Sequence, residues 1–167
     1  MEKVLRIYLD ATIFRGCEDP DYEKWSWSLL QDCHEGIYKP VVSTLVEKDL
    51  EGDSKPTLDA FADLLTCKPR IIPLSERADT LADLYVERKI VMPDFRRQAL
   101  HVALATLEEV DVLTSWDYAN ILHLFRVRKY VTVNLELGLK PIQIRSPRVL
   151  ASFELKQAQT ALKIASG

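Results

Sequence analysis

The sequence predicts a three-layer α/β/α fold around a central parallel sheet of about four to five strands. Three observations point there. Short apolar runs alternate with segments of helical period along the whole chain, the pattern of strands joined by helical crossovers. The first run, Val4-Leu5-Arg6-Ile7-Tyr8-Leu9, has the β-branched and aromatic content of a buried strand. It stops abruptly at a single carboxylate, Asp10, followed by Ala11-Thr12. In a parallel sheet the carboxyl ends of strands are where ligands bind. The plainer reading of Asp10 is a cap for the next turn or helix.

The elements follow in order. A strand over 4–10 leads to a loop over 15–20 containing Gly16 and Pro20, then a helix over about 21–35 with Trp25, Leu29, Leu30 and Cys33 near helical spacing. Gly36 stops it. Pro40-Val41-Val42-Ser43 reads as a second strand, and a helix starts near Thr44 and is over by Gly52. The next helix covers about 56–67, with Pro56 in its first turn and Leu58, Phe61, Leu64 and Leu65 inward. Arg70-Ile71-Ile72-Pro73-Leu74 is a third strand, and Pro73 makes it an edge or a strand end. Ser75 caps a helix over 77–89 that turns Ala78, Leu81, Ala82 and Tyr85 inward.

Pro93 opens a further segment, and 98–107 is helical with Ala99, Val102, Ala103 and Leu107 inward. Val110 to Leu113 is a fourth strand, ending at Thr114-Ser115-Trp116-Asp117. A helix follows through Arg128, with 130–137 as its candidate continuation before Gly138 stops it. Pro141-Ile142-Gln143-Ile144 is a last strand, closed by Pro147. A boundary near Pro147 divides a domain over 1–148 from a helical tail over 149–167, amphipathic through Leu155, Ala158, Leu162 and Ala165.

Composition narrows the class. At 167 residues, 47% hydrophobic and 28% charged, the chain has the length and make-up of one globular domain. It carries no apolar run near the roughly 20 residues of a membrane helix. Its N-terminus shows no signal-peptide pattern, so a cytoplasmic location without membrane partners is expected. Cys17, Cys33 and Cys67 lack metal-site spacing and read as reduced thiols. The net charge of −3 does not advertise nucleic-acid binding. Acids nevertheless crowd the first third and bases the later part, Arg96 and Arg97 among them. An acidic site with a basic surround suits a metal-dependent enzyme acting on phosphodiesters. Ordinary solvated helix faces are the plainer account.

Two strand-to-helix junctions carry an acid, Asp10 and Asp117. A third acid lies on the helix after Ser43, as Glu47, Asp49 or Glu51; 47 and 51 share a helix face and 49 points elsewhere. Carboxylates converging at one sheet edge repel unless a divalent cation sits among them. Hard cations such as Mg²⁺ or Mn²⁺ take oxygen ligands, and such a centre activates water and neutralises a phosphodiester transition state. Ser43 and Ser115 have no hydrolase-type partners, and the five isolated glycines form no phosphate loop. His34 and His123 read as surface residues, and His101, among Ala99, Val102 and Ala103, as a structural hydrogen-bonding residue. Trp25, Trp27 and Trp116 read as packing residues.

The chain resembles PIN-domain proteins, the fold of VapC-type toxin ribonucleases. The matching pieces are Ile7-Tyr8-Leu9-Asp10-Ala11-Thr12, Val42-Ser43-Thr44 through Asp49, Ala99-Leu100-His101-Val102-Ala103-Leu104-Ala105, and Leu113-Thr114-Ser115-Trp116-Asp117-Tyr118. Val133 to Gly138 and Ile142 to Pro147 add to them. Together they span nearly all of 4–150, and their order and spacing carry the likeness. The resemblance implies a Mg²⁺- or Mn²⁺-dependent endoribonuclease with Asp10, Asp49 and Asp117 as catalytic metal ligands. Thr12, Ser43 and Thr114 would be supporting hydroxyls. Asp49 stands where the family usually has Glu, one methylene longer, with Glu47 and Glu51 as rivals. The family's third acid is replaced by Gln98, a neutral amide, and Asp94 on the preceding segment is the alternate. Arg96 and Arg97 flank Gln98 as candidate contacts to RNA phosphate. The resemblance also implies a homodimer and, if the chain is the toxin of a toxin–antitoxin pair, a small antitoxin partner. The competing expectation is a degenerate PIN domain that binds RNA or protein without cutting, and Gln98 favours it.

Overall fold

The computed structural model describes residues 2–167, with Phe153 and Glu154 given by their backbone alone; the first residue of the expected domain lies outside the described residues. Five strands form one parallel sheet: β1 (Leu5–Leu9), β2 (Tyr38–Ser43), β3 (Arg70–Ile72), β4 (Val112–Thr114) and β5 (Gln143–Arg145), in the order β3-β2-β1-β4-β5. The chain therefore builds outward from β1 through β2 to β3, then crosses back to lay β4 on the other side of β1.

Parallel crossovers are right-handed, so reversing the direction of travel puts the later helices on the opposite face. The packing agrees. Helices α1 (Ala11–Gly16), α2 (Glu23–His34) and α4 (Lys55–Leu65) pack together, while α5 (Glu76–Glu87), α6 (Arg96–Leu107) and α7 (Leu124–Glu136) form the other layer. Short α3 (Thr44–Asp49) follows β2 directly. The order reverses between β1 and β4, whose ends are level: Leu9 pairs with Thr114. A crevice opens at such a point beyond the strand ends.

Local chemistry explains the boundaries. Serines cap three helices by accepting an amide hydrogen: Ser43 from Val46, Ser54 from Thr57 and Ser75 from Ala78. Pro73 follows edge strand β3, where its missing donor costs no ladder bond. Gly16 allows a close approach. A Cβ there would lie 2.5 Å from Ser26 Oγ and 2.7 Å from Trp116 Nε1, and Trp116 donates to Ser26 across 2.9 Å. This contact pins the segment after β4 against α1.

Several expectations need correction. The segment around 11–16, in part assigned to a loop, is helix α1, capped by Asp10; its β-branched Thr12 and Ile13 mask the helical tendency. Leu58 is 40% exposed, because the inward stripe of α4 starts one residue earlier, at Thr57, Ala60, Phe61 and Leu64. The helix expected straight after β4 is broken. A single wide π-turn, Tyr118–Leu122, is capped by Asp117, and α7 restarts at Leu124. The tail helix splits into α8 (Pro147–Leu150) and α9 (Phe153–Ser166), whose Leu155 and Leu162 are exposed. What fastens the tail is polar. Buried Asp32 on α2 accepts from Ser152 N at 2.9 Å, Ser152 Oγ at 2.5 Å and Lys156 Nζ at 3.3 Å.

The three cysteines are free, and burial pushes the Cys17 and Cys33 thiols up to about 12. His34 is exposed but partnered: its Nε2 meets Asp63 Oδ2 at 2.8 Å and its Nδ1 meets Cys67 Sγ at 3.2 Å. Both partners come from the end of α4 and the turn beyond it, out of reach of spacing along α2. Among the described residues no helix is long and apolar enough to cross a membrane.

Candidate functional site

A cleft of about 220 Å³ lies beyond the β1 and β4 ends, lined by Asp10, Ala11, Thr12, Arg15, Asp49, Arg97, Gln98, His101 and Asp117. Each side chain is delivered by a different local feature. Asp10 is the first residue after β1 and is buried; its Oδ1 accepts from Thr12 N at 3.0 Å and Thr12 Oγ1 at 2.5 Å. Thr12 Oγ1 also accepts from Trp116 N at 2.8 Å, so one hydroxyl ties the two strand ends together. Asp117 ends the segment after β4. Its amide donates to Ser115 Oγ at 3.0 Å, and its carboxylate caps the π-turn through Asn120 N at 2.9 Å.

Asp49 is the last residue of α3, while Arg97, Gln98 and His101 come from the first turns of α6. Asp49 is heavily engaged. Its Oδ2 lies 2.6 Å from His101 Nε2, its Oδ1 accepts from Arg97 Nε, and its carbonyl accepts from Arg15 at 2.6 Å. Tyr8 OH, 2.7 Å from both Ser43 Oγ and His101 Nδ1, extends the chain into the sheet. The carboxylate accepts only, so His101 Nε2 carries a hydrogen toward it.

These surroundings set the two acids apart. Burial raises the Asp10 carboxyl above its ordinary range, offset in part by His101, Ser115 and Thr12. Burial also pushes Asp49 up, but His101 and Arg97 more than reverse it and hold Asp49 below the usual range. Burial raises Tyr8 strongly, keeping it a neutral donor.

Of the residues singled out in the sequence, Asp10, Asp49, Asp117, Thr12, Gln98 and Arg97 meet in this cleft. Others lie elsewhere. Glu47 and Glu51 are exposed and do not line it. Asp94, offered as the alternate acid, is exposed on a 3₁₀ turn (Pro93–Phe95) and does not line it. Arg96 turns to α5, with Asp83 at 2.6 Å and Asp79 at 3.1 Å. Ser43 is buried behind the cleft as cap and Tyr8 partner, and Thr114 is fully buried. His101 bonds as expected of a structural residue and also faces the cleft. Arg15 was not foreseen; nothing in local spacing ties it to a residue 34 positions away.

Among the described residues, no three carboxylate, imidazole or thiol groups close on one point as a ready metal cage. The oxygen chemistry nevertheless suits a hard cation. Among the described residues, Gln98 Oε1 is one of three buried side-chain polar atoms without a hydrogen-bond partner, a costly arrangement for an acceptor with nothing to accept from. With Asp10 and Asp117 it gives two charged donors and one neutral oxygen donor. Asp49 already accepts one hydrogen bond on each oxygen, from Arg97 and His101.

The architecture is a PIN-like α/β fold: five parallel strands, helices on both faces and a crevice where the order reverses. Among solved structures the chain is similar to a chain of VapBC2 from Rickettsia felis bound to a DNA fragment from their promoter, with a TM-score of 0.51 at 12% identity over 85% of this chain and 98% of that one. At that identity the likeness is one of fold. No family model and no curated protein matches the chain.

Proposed function

We propose that the chain is a PIN-type endoribonuclease that hydrolyses RNA phosphodiesters in the cleft with the help of Mg²⁺ or Mn²⁺. The observation that carries the reading is the meeting of buried Asp10, Asp117 and the unpartnered Oε1 of Gln98 at the reversal point of a parallel sheet. A divalent cation held there would polarise water and neutralise charge building on the phosphoryl group. Asp10 would be its main ligand, oriented by Thr12. His101 keeps its Nε2 hydrogen on Asp49, and Arg97 would receive a substrate phosphate. The similarity to a chain of the VapBC2 complex supports a toxin role with a small protein partner covering the cleft, and a homodimer is proposed with it.

A second reading has its own observation. With Gln98 neutral and Asp49 paired to Arg97 and His101, the cleft carries little free negative charge, as in a decayed site that only binds RNA or protein. Cleavage of a structured RNA under Mn²⁺ titration separates the two. Wild-type activity that vanishes in Asp10→Asn supports the enzyme. An inactive wild type rescued by Gln98→Asp supports decay. Silence in both removes the metal site from consideration and leaves a binding scaffold.

A further inference from the structure

We propose that the groove between the end of α5 and the start of α7 binds single-stranded RNA, adding a base-stacking surface and phosphate contacts beside the cleft. The choice of RNA as the occupant rests on the nuclease reading; the presence of a basic, aromatic binding groove does not. The groove has a volume of about 640 Å³, and its lining includes Lys89, Met92, Pro93, His123, Phe125 and Lys129.

Its walls join those of the cleft along the chain. On one side, Met92 and the Pro93–Phe95 turn run directly into Arg97 and Gln98; on the other, the π-turn starts at Asp117 and leads to His123. Arg126 staples the walls together, donating from Nε to the Ala119 carbonyl at 2.5 Å and from a terminal nitrogen to the Ile90 carbonyl. The groove and the cleft have separate linings but are reached by the same two segments.

The channel's chemistry is that of a single-strand groove. Phe125 is 62% exposed, and its ring lies 5.6 Å from that of His123 at a 34° tilt. Lys89 and Lys129 are exposed, and neither makes an ion pair among the described residues. Neighbouring Arg88, by contrast, is tied to Glu136 at 3.0 Å. Glu87 is the lone acid in the lining. Unpaired cations flanking an exposed ring hold a polyanion through its backbone and stack its bases with little regard to sequence. A duplex keeps its bases stacked within itself, so the unpaired strand is the form that fits. Continuity with a cleft read as a phosphodiester site favours RNA over an acidic peptide.

The test is fluorescence anisotropy of a labelled single-stranded RNA of about twelve nucleotides, in EDTA so that nothing is cut. Phe125→Ala is expected to weaken binding roughly fivefold or more. The double variant Lys89→Glu/Lys129→Glu is expected to weaken it at least tenfold and to reduce the slope of log affinity against log salt by about 1.4. Should the double variant fail to fold by circular dichroism, Phe125→Ala and Lys129→Ala carry the test. RNA affinity unchanged in the folded variants overturns the proposal. So does loss of a labelled glutamate-leucine peptide with RNA binding intact, which would make the groove a protein-docking surface. An absence of cleavage in Mn²⁺ with groove binding intact counts against the nuclease alone. Cleavage with RNA binding indifferent to these residues counts against the groove alone.

Discussion

Asp10 leaves β1 with an amide and a hydroxyl as its contacts, whereas Asp49 closes α3 between a guanidinium and an imidazole. Both are Asp, both face the same cleft, and their carboxyls are shifted in opposite directions. Motif position makes them equivalent; their neighbours do not. A carboxylate stripped of water holds its charge at a cost unless a proton or a cation offsets it. A carboxylate that already holds two donors has its charge spent within the fold. The cleft thus has an open side and a closed side.

The sharpest way to break this contrast is Asp10→Asn. If Asp10 is the main cation ligand, cleavage falls by at least about 100-fold, measured on a labelled RNA in Mn²⁺. The same change should stabilise the fold at pH 7. A carboxyl raised by burial disfavours the folded state once it is ionised, and that penalty fades as pH falls through its raised value. The melting temperature of Asp10→Asn should exceed that of wild type at neutral pH, with the difference shrinking on acidification.

On the closed side the sign reverses. Asp49→Ala should cost about 2 kcal/mol at pH 7 in urea unfolding, mainly from leaving His101 without its acceptor. Arg97 adds little because it is half exposed. Since Asp49 is held low, its contribution is present above the ordinary Asp range and disappears as pH drops through its lowered value. The mutant and wild-type curves should therefore converge in acid. Curves that stay parallel would mean that the pair contributes by packing alone.

Gln98→Asp sharpens the comparison by restoring a charge between the two sides. Mn²⁺ affinity, read by calorimetry, should rise roughly tenfold, about 1.4 kcal/mol. The smallest effect is expected from Tyr8→Phe. It strands Ser43 and His101 Nδ1 behind the cleft for about 1 kcal/mol, and it loosens the imidazole that holds Asp49.

Much of this was legible in the sequence because it is written in local terms. A strand that stops at Asp10, Ser75 before its helix and Pro73 at a strand end are each decided within a few residues, and the structure places all three as read. The electrostatic split between Asp10 and Asp49 was not legible. It depends on Arg97 and His101 being brought 48 and 52 positions across the chain. The inward stripe of α4 slipped by one residue for a related reason: Thr57, polar but buried, is held by Glu18, again from outside the helix. The apolar period of the tail is real, but it does not say whether that face is covered; Leu155 and Leu162 are exposed.

The clasp between Asp32 and the tail bears on how this protein can be handled. Shortening the chain at the boundary suggested by Pro147 would strip away Ser152 and Lys156 and leave Asp32 on α2, fully buried in the whole chain, with three bonds missing. A fragment ending there would carry a defect inside its own helical layer, whatever its cleft was doing. The last stretch of helix is a keystone for α2, and any shortened version of this protein has to keep residues through at least Lys156.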